Sequence, residues 1–282
     1  MPITVFADEA SPSEVEQWDC GQNCRATLYS DGLFKIEPID SSQEAIMNNY
    51  TQKRDLLQQN PDIYTNFYTT APWNDDQGHF EDIKKVVVSE GVKNIGNCAF
   101  YVDSGERERS QITEVILPQG LESIGSDSFG SNNFSSIEIP DSVTTIAGFA
   151  FARSAIENLV IPDSVETIGY YAFRNCDNLK SIVISDNVTS IGLNAFLETS
   201  PYVYCQESEG HGGKTCAELL ADTSLESSKL KVYTIKNGKI EVGSKIYDSF
   251  DNLPGYILRR IYTLKEANEA AGPVNRISIK YR

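Results

Sequence analysis

Histidine and tryptophan are nearly absent from this chain, two of each in 282 residues. His79 and His211 both stand in polar, loop-like contexts and no Gly-x-Ser-x-Gly string occurs, so no nucleophile has an obvious base and no enzyme is expected. The scarcity of tryptophan also disfavours a surface built to stack sugars. Basic residues are in the minority, 24 against 40 acidic for a net charge of -16. Such a chain repels a phosphate backbone, so nucleic acid is not an expected partner. No apolar run reaches the roughly 18 residues that a membrane span needs. What remains, with 40% hydrophobic residues, is enough for a folded core.

The charge is unevenly spread. Residues 1–82 carry 15 acidic and 4 basic residues, residues 83–196 carry 14 and 8, and residues 197–282 carry 11 and 12. Three characters predict three units: an N-terminal cap over 1–82, a central array over 83–196, and a C-terminal cap with a small module over 197–282.

The central array is a repeat. Ile-Gly-x-x-Ala-Phe or a close variant recurs from Ile95 to Phe100, Ile124 to Phe129, Ile146 to Phe151, Ile168 to Phe173 and Ile191 to Phe196. These five units of about 22 to 23 residues are interrupted once, by a polar insert at 101–111. The fourth is the cleanest: Ile156, Leu159 and Ile161 form an apolar strand pattern, Pro162 ends it, Asp163 and Ser164 turn, and Val165, Ile168 and Phe173 return to the core. One strand per unit predicts a solenoid of parallel strands stacked about 4.8 Å apart. Stacking turns the repeat into columns: Phe100, Phe129, Phe151, Phe173 and Phe196 in one, Ile95, Ile124, Ile146, Ile168 and Ile191 in another, and Val92, Leu121, Val143, Val165 and Val188 in a third.

The string Ile-Pro-Asp-Ser-Val-x-x-Ile-Gly-x-x-Ala-Phe, nearly intact over 161–173, resembles the BspA-type leucine-rich repeat of microbial surface proteins. Departures are few: Ser89 and Ser185 stand for Pro, Ala147 for Gly and Ser128 for Ala. The resemblance implies an α/β-type leucine-rich repeat solenoid, a right-handed superhelix. It also implies adhesion, with host extracellular matrix proteins such as fibronectin or fibrinogen as suggested targets. Modules with Cys-x-x-x-Cys and an Asp-Gly hairpin, as at Cys20, Cys24 and Asp31-Gly32, precede such repeats in bacterial surface proteins.

The flanks read as follows. Strands on either side of Asp31-Gly32 predict a hairpin, and Ser41 with Glu44 predicts a capped helix running to about Gln59. Trp73 is expected to seal the first coil. Beyond the repeat, a strand at 202–205 and a short helix at 216–221 precede a hairpin around Asn237-Gly238. A small α+β unit is expected over 256–282.

Six cysteines are present. Cys98 and Cys176 lie three coils apart, roughly 14 Å, too far for a disulfide, and are expected to be buried thiols. Cys20 with Cys24, and Cys205 with Cys216, are the plausible local disulfides and imply an oxidising compartment, hence a secreted or cell-surface protein. Val5-Phe6-Ala7 has the form of a signal-peptidase site, but the apolar run before it is short and no basic region precedes it. A clipped or remnant signal is the reading, and an intracellular location the alternative.

Other chemistry is weaker. Cys205, His211 and Cys216 suit zinc, but a disulfide is the simpler reading, so no metal is expected. Gly213-Lys214-Thr215 mimics a phosphate loop but lacks its first glycine, with Ser208 in that place. Asp141, Asp163 and Asp186 align as if to collect calcium, yet Ser142, Ser164 and Asn187 beside them point to turn hydrogen bonding. No cofactor is expected. Asn49, Asn133 and Asn187 sit in glycosylation sequons.

Recognition would use residues the core does not need. One candidate is the strand-face column Val87, Ile116, Glu138, Val160 and Val183, rimmed by Lys85, Glu114, Ser136, Asn158 and Ser181. The plain alternative is β-branched residues favouring strands, or a flank covering them. A second candidate is Phe149 and Tyr171, at equivalent positions in adjacent coils, with Tyr170 beside them. Packing on the next coil's loop is its alternative. The functional expectation is a non-enzymatic, adhesin-like recognition module that binds a protein partner through the strand face. A structural spacer and a glycan-binding module are the alternatives.

Overall fold

The computed structural model describes residues 11–50, 71–74, 79–101, 110–206, 210–236, 239–242 and 245–247. It opens with three antiparallel strands, β1 (Glu14–Gln22), β2 (Cys24–Tyr29) and β3 (Leu33–Pro38). β2 and β3 form the hairpin around Asp31-Gly32, where the Asp31 carboxylate accepts the Leu33 N–H at 3.0 Å and Gly32 takes φ +88°.

The helix expected from Ser41 is absent over its described part. The Asp40 carboxylate instead accepts from the Ser42 N–H and hydroxyl at 2.9 and 2.7 Å, closing a turn. The chain then runs extended: Ala45 bridges Val92, and β4 (Ile46–Met47) pairs with β1. Glu44, read as the helix-capping carboxylate, pairs with Lys93 at 3.1 Å. Residues 51–59 lie outside the described residues.

After a single helical turn, α1 (His79–Asp82), the solenoid alternates wide-face strands with two-residue ones. The order is β5 (Lys85–Val88), β6 (Asn94–Ile95), β7 (Glu114–Ile116), β8 (Ser123–Ile124), β9 (Thr145–Ile146), β10 (Asn158–Val160), β11 (Thr167–Ile168), β12 (Ser181–Ile184), β13 (Ser190–Ile191) and β14 (Tyr202–Gln206). Neighbouring coils pair in parallel and in register, Ile124 on Ile95 and Ile146, Ile168 on Ile146 and Ile191. The parallel ladder passes both ends of the expected array. β3 lies beside β5, and β14 beside β12.

Beyond β14 come α2 (Cys216–Leu219), then β15 (Leu230–Lys236), β16 (Lys239–Val242) and β17 (Lys245–Tyr247). β15 adds in parallel to β14, and β15 and β16 form the hairpin around 237–238. The α+β unit expected at 256–282 lies outside the described residues.

The described residues form a parallel-strand solenoid with little helix, consistent with the expected leucine-rich repeat solenoid. In four of the coils the return segment is a run of turns in which two residues adopt left-handed backbone, such as Tyr171 at φ +55° and Asn175 at +57°. Left-handed residues at that frequency prevent helix from propagating.

The core is the stack of columns. The five phenylalanine rings lie face to face at 5.5 to 5.8 Å with interplanar angles of 4° to 10°. Each buried ring contributes about 1.5 to 3 kcal/mol before entropy is charged against it. Trp73 is fully buried, stacks on Phe100 at 5.9 Å, meets Phe34 at 5.0 Å and donates its indole N–H to Ala99 O at 2.8 Å. The glycine of the motif is set by close approach of coils: a Cβ on Gly169 would lie 2.2 Å from the Gly148 nitrogen.

Candidate functional site

The strand face is in register as the columns require, but it is not an open apolar stripe. Lys35, Val87 and Ile116 align on β3, β5 and β7, and Val160, Val183, Tyr204 and Lys231 on β10, β12, β14 and β15. Glu138 falls between the two runs, at a coil whose residues 136–138 form no ladder. Val87, Ile116, Glu138 and Val160 are half-buried. Val183, read as a contact residue, is buried with 6% exposure, because it sits in register between Val160 and Tyr204. Beside them the rim is closed by its own bonds: Lys85 pairs with Glu114 at 3.0 Å, and the Ser181 hydroxyl donates to Asn158 Oδ1 at 2.9 Å. On β14 the face carries Tyr202, 45% exposed, whose ring faces the ammonium groups of Lys229 and Lys231 at 4.8 and 5.3 Å.

The turn face carries the more pronounced feature. In the five coils one position is occupied by Cys98, Asp127, Phe149, Tyr171 and Asn194, and all five adopt φ between +54° and +57°. Asp and Asn tolerate this left-handed backbone, whereas a bulky aromatic there is a true outlier that costs about 1 to 2 kcal/mol. Phe149 and Tyr171 nevertheless occupy it, with rings stacked at 4.9 Å and 16°. Tyr170 stands edge-on to both, at 5.2 Å from Phe149 and 5.9 Å from Tyr171.

This cluster is accessible. Tyr170 is 51% and Leu193 58% exposed. Asn194 donates from Nδ2 to the Tyr171 hydroxyl at 3.1 Å, and the Arg174 guanidinium lies 5.5 Å from the Tyr171 ring centre. Glu198 completes the rim, its carboxyl held below the ordinary glutamate range by hydrogen bonds from Asn175 and Arg174. Leu193 and Arg174 went unread in the sequence. A usable signal was the order Ala147-Gly148, which reverses the usual glycine-first order. A Cβ on Gly148 would lie 2.7 Å from Tyr170 Cε1, so the displaced glycine clears the space the Tyr170 ring occupies.

The cysteines divide. Cys205 and Cys216 are joined as a disulfide with 6.0 Å between their Cα atoms. Cys20 and Cys24, expected as a local disulfide, are instead separate thiols with sulfurs 2.8 Å apart, both fully buried. The Cys24 hydrogen bond, and after it burial, pushes the Cys20 thiol well above its usual range. Cys176 is a buried thiol that donates to Phe151 O at 3.1 Å, whereas Cys98 is only half-buried. At the turns, the Ser142 and Ser164 hydroxyls donate to carbonyls of the coil below, Leu121 O at 2.5 Å and Val143 O at 2.7 Å, so these residues tie coil to coil where bonds within each turn were expected.

Comparison with known proteins fits this geometry. Residues 106–204 match the BspA type leucine rich repeat region in six copies, one more than the five units read from the motif. The structure of a leucine-rich repeat protein from Eubacterium ventriosum superimposes on 82% of this chain with a TM-score of 0.53 at 18% identity, and this chain spans 49% of its length. A leucine-rich repeat protein from Bacteroides ovatus, 15% identical, gives a TM-score of 0.32 over 73% of this chain and 60% of its own. The T. pallidum leucine rich repeat protein, 16% identical, gives 0.32 over 72% and 95%. The likeness of fold rests on the first of these, and no curated protein matches the sequence. No helix among the described residues is long and apolar enough to cross a membrane. With its coils paired in parallel and six copies matched, the stretch 106–204 matches the BspA type leucine rich repeat region.

Proposed function

We propose that this chain is a non-enzymatic protein-recognition module of a secreted or cell-surface protein, and that Phe149, Tyr170 and Tyr171 form the centre of its contact surface. The observation that carries this reading is the placement of two stacked aromatics on left-handed backbone, where stability alone favours the Asn and Asp of neighbouring coils. Tyr170 is exposed and braced by the half-buried pair Phe149 and Tyr171, and braced aromatics anchor protein partners because they bury large area at small cost in side-chain entropy. The half-buried Val87, Ile116, Glu138 and Val160 on the strand face serve as a secondary contact, with the buried Val183 in register beside Val160. Proteins of the host extracellular matrix are the class to try first.

The test is surface binding to immobilised fibronectin and fibrinogen, wild type against Tyr170→Ala. Loss of binding at unchanged melting temperature supports the reading. Retained binding that Val160→Lys then abolishes moves the contact to the strand face. Absence of binding to every matrix protein tried favours the structural spacer.

A further inference from the structure

The turn between β14 and α2 brings three soft donors to one buried point. His211 Nε2 lies 3.5 Å from Cys205 Sγ and 3.8 Å from Cys216 Sγ, and all three side chains are buried. Their donor atoms all fall within 4.8 Å of one another. The recognition surface uses none of them.

The imidazole is oddly partnered. Its Nδ1 lies 2.7 Å from Val188 O and its Nε2 2.7 Å from Gln206 O. A neutral imidazole carries a single N–H, so it donates to one carbonyl and turns a bare lone pair on the other. The second contact is repulsive unless that nitrogen also carries a proton, so that both ring nitrogens donate, or binds a metal cation. With Nδ1–H given to Val188 O, the ring has the backbone-oriented tautomer found in metal-ligating histidines, and Nε2 faces the sulfurs. The backbone is bent to hold it there: His211 takes φ +56°, followed by Gly212 at +62° and Gly213 at +81°, while the His211 N–H donates to Asp186 O at 2.6 Å.

We propose that, once the disulfide is opened, Cys205, Cys216 and His211 bind one thiophilic divalent metal ion, zinc by the softness of the three donors, with the fourth position on the side of the Gln206 carbonyl and open to water. That carbonyl lies 3.5 Å from Cys216 Sγ as well as 2.7 Å from Nε2. Opening consumes two electrons and two protons from a dithiol, which closes to its own disulfide as Cys205 and Cys216 become thiols. The metal ion then displaces both thiol protons to solvent and accepts the Nε2 lone pair. One loop is thereby pinned by a disulfide in an oxidising compartment and by a metal ion in a reducing one.

The experiment uses the full chain, oxidised or reduced with a dithiol that is then removed without air, titrated with Co2+ and with Zn2+. Reduced protein is expected to take up one ion, to show sulfur-to-cobalt charge transfer, and to lose two titratable thiols when Zn2+ is added. Oxidised protein is expected to take up none. His211→Gln should weaken binding at least about tenfold, and Cys205→Ser or Cys216→Ser should abolish the charge-transfer band. A Cys20→Ser/Cys24→Ser variant should bind as wild type. Three results overturn the proposal: no stoichiometric uptake by the reduced chain, equal affinity in His211→Gln, or uptake lost with Cys20 and Cys24. If reduction unfolds the chain, recovery of the native circular dichroism on adding Zn2+ supports the site, and failure to recover counts against it.

Discussion

The ring of Phe149 lies 4.9 Å from that of Tyr171, nearly parallel and one coil away, and both residues sit on left-handed backbone. Two opposing terms meet at this pair. The backbone costs each aromatic about 1 to 2 kcal/mol, and the stack returns about 0.5 to 1.5 kcal/mol. Phe149→Asn places at this position the residue type found at Asn194, so urea unfolding should shift by no more than about 1 kcal/mol. Partner binding should fall at the same time. A loss of several kcal/mol would show that the ring is structural.

Gly148→Ala separates the cluster from the core. The atoms nearest its added Cβ belong to the Tyr170 ring, at 2.7 to 3.0 Å, and an exposed ring can swing away. Thermal stability should stay within about 0.5 kcal/mol of wild type, as for a surface change. Near-ultraviolet circular dichroism and partner binding should both change.

Gly169→Ala is the counterpart. Its nearest neighbours are backbone atoms of the coil below, Gly148 N at 2.2 Å and Ala147 C at 2.5 Å, which cannot yield without parting the coils. A cost of about 1 to 3 kcal/mol is expected, as for overpacking, measured by chemical denaturation. A variant as stable as wild type would mean that the coils lie farther apart than described.

These glycines show what the sequence discloses and what it hides. Contacts repeated in every coil, such as the Phe100 to Phe196 spine, were legible because the same side chain is needed at the same place five times. The coil that begins with β14 was read only as a last strand, because no Ile-Gly-x-x-Ala-Phe string follows it: Asp222 O and Thr223 O accept from Asn194 N and Phe196 N in that place. The Ser41 and Glu44 capping signal misled because a tertiary partner won: Lys93 takes Glu44, and Val92 takes Ala45. The aromatic cluster was half legible. Equivalent spacing put Phe149 over Tyr171, but the left-handed backbone that makes the pair informative has no mark in the sequence.

Phe151→Ala removes the middle ring of the spine, which stacks at 5.8 Å on both Phe129 and Phe173 and has no exposure. A loss of about 3 to 5 kcal/mol is expected for a buried aromatic deletion. Because a solenoid is held by nearest-neighbour interfaces, the loss should also split one unfolding transition into two, seen as a reduced denaturant slope. A single transition with a negligible shift would place the core elsewhere.

The disulfide between Cys205 and Cys216 closes a short loop, with a sequence separation of 11, against the last matched coil. Restricting a loop of that length in the unfolded chain contributes about 3 kcal/mol in the chain-entropy account. Reduction should therefore lower the melting temperature of wild type, and Cys205→Ala/Cys216→Ala should start from the lowered value and not respond to reductant. Cys176→Ala should respond to reductant as wild type does, since its thiol donates to Phe151 O and takes no part in the bond. Adding Zn2+ to the reduced wild type should restore part of the lost stability, in proportion to ligand over dissociation constant. The double variant should gain nothing from zinc, so differential scanning calorimetry of the two proteins, with and without reductant and zinc, separates what the covalent bond contributes from what the metal ion can replace.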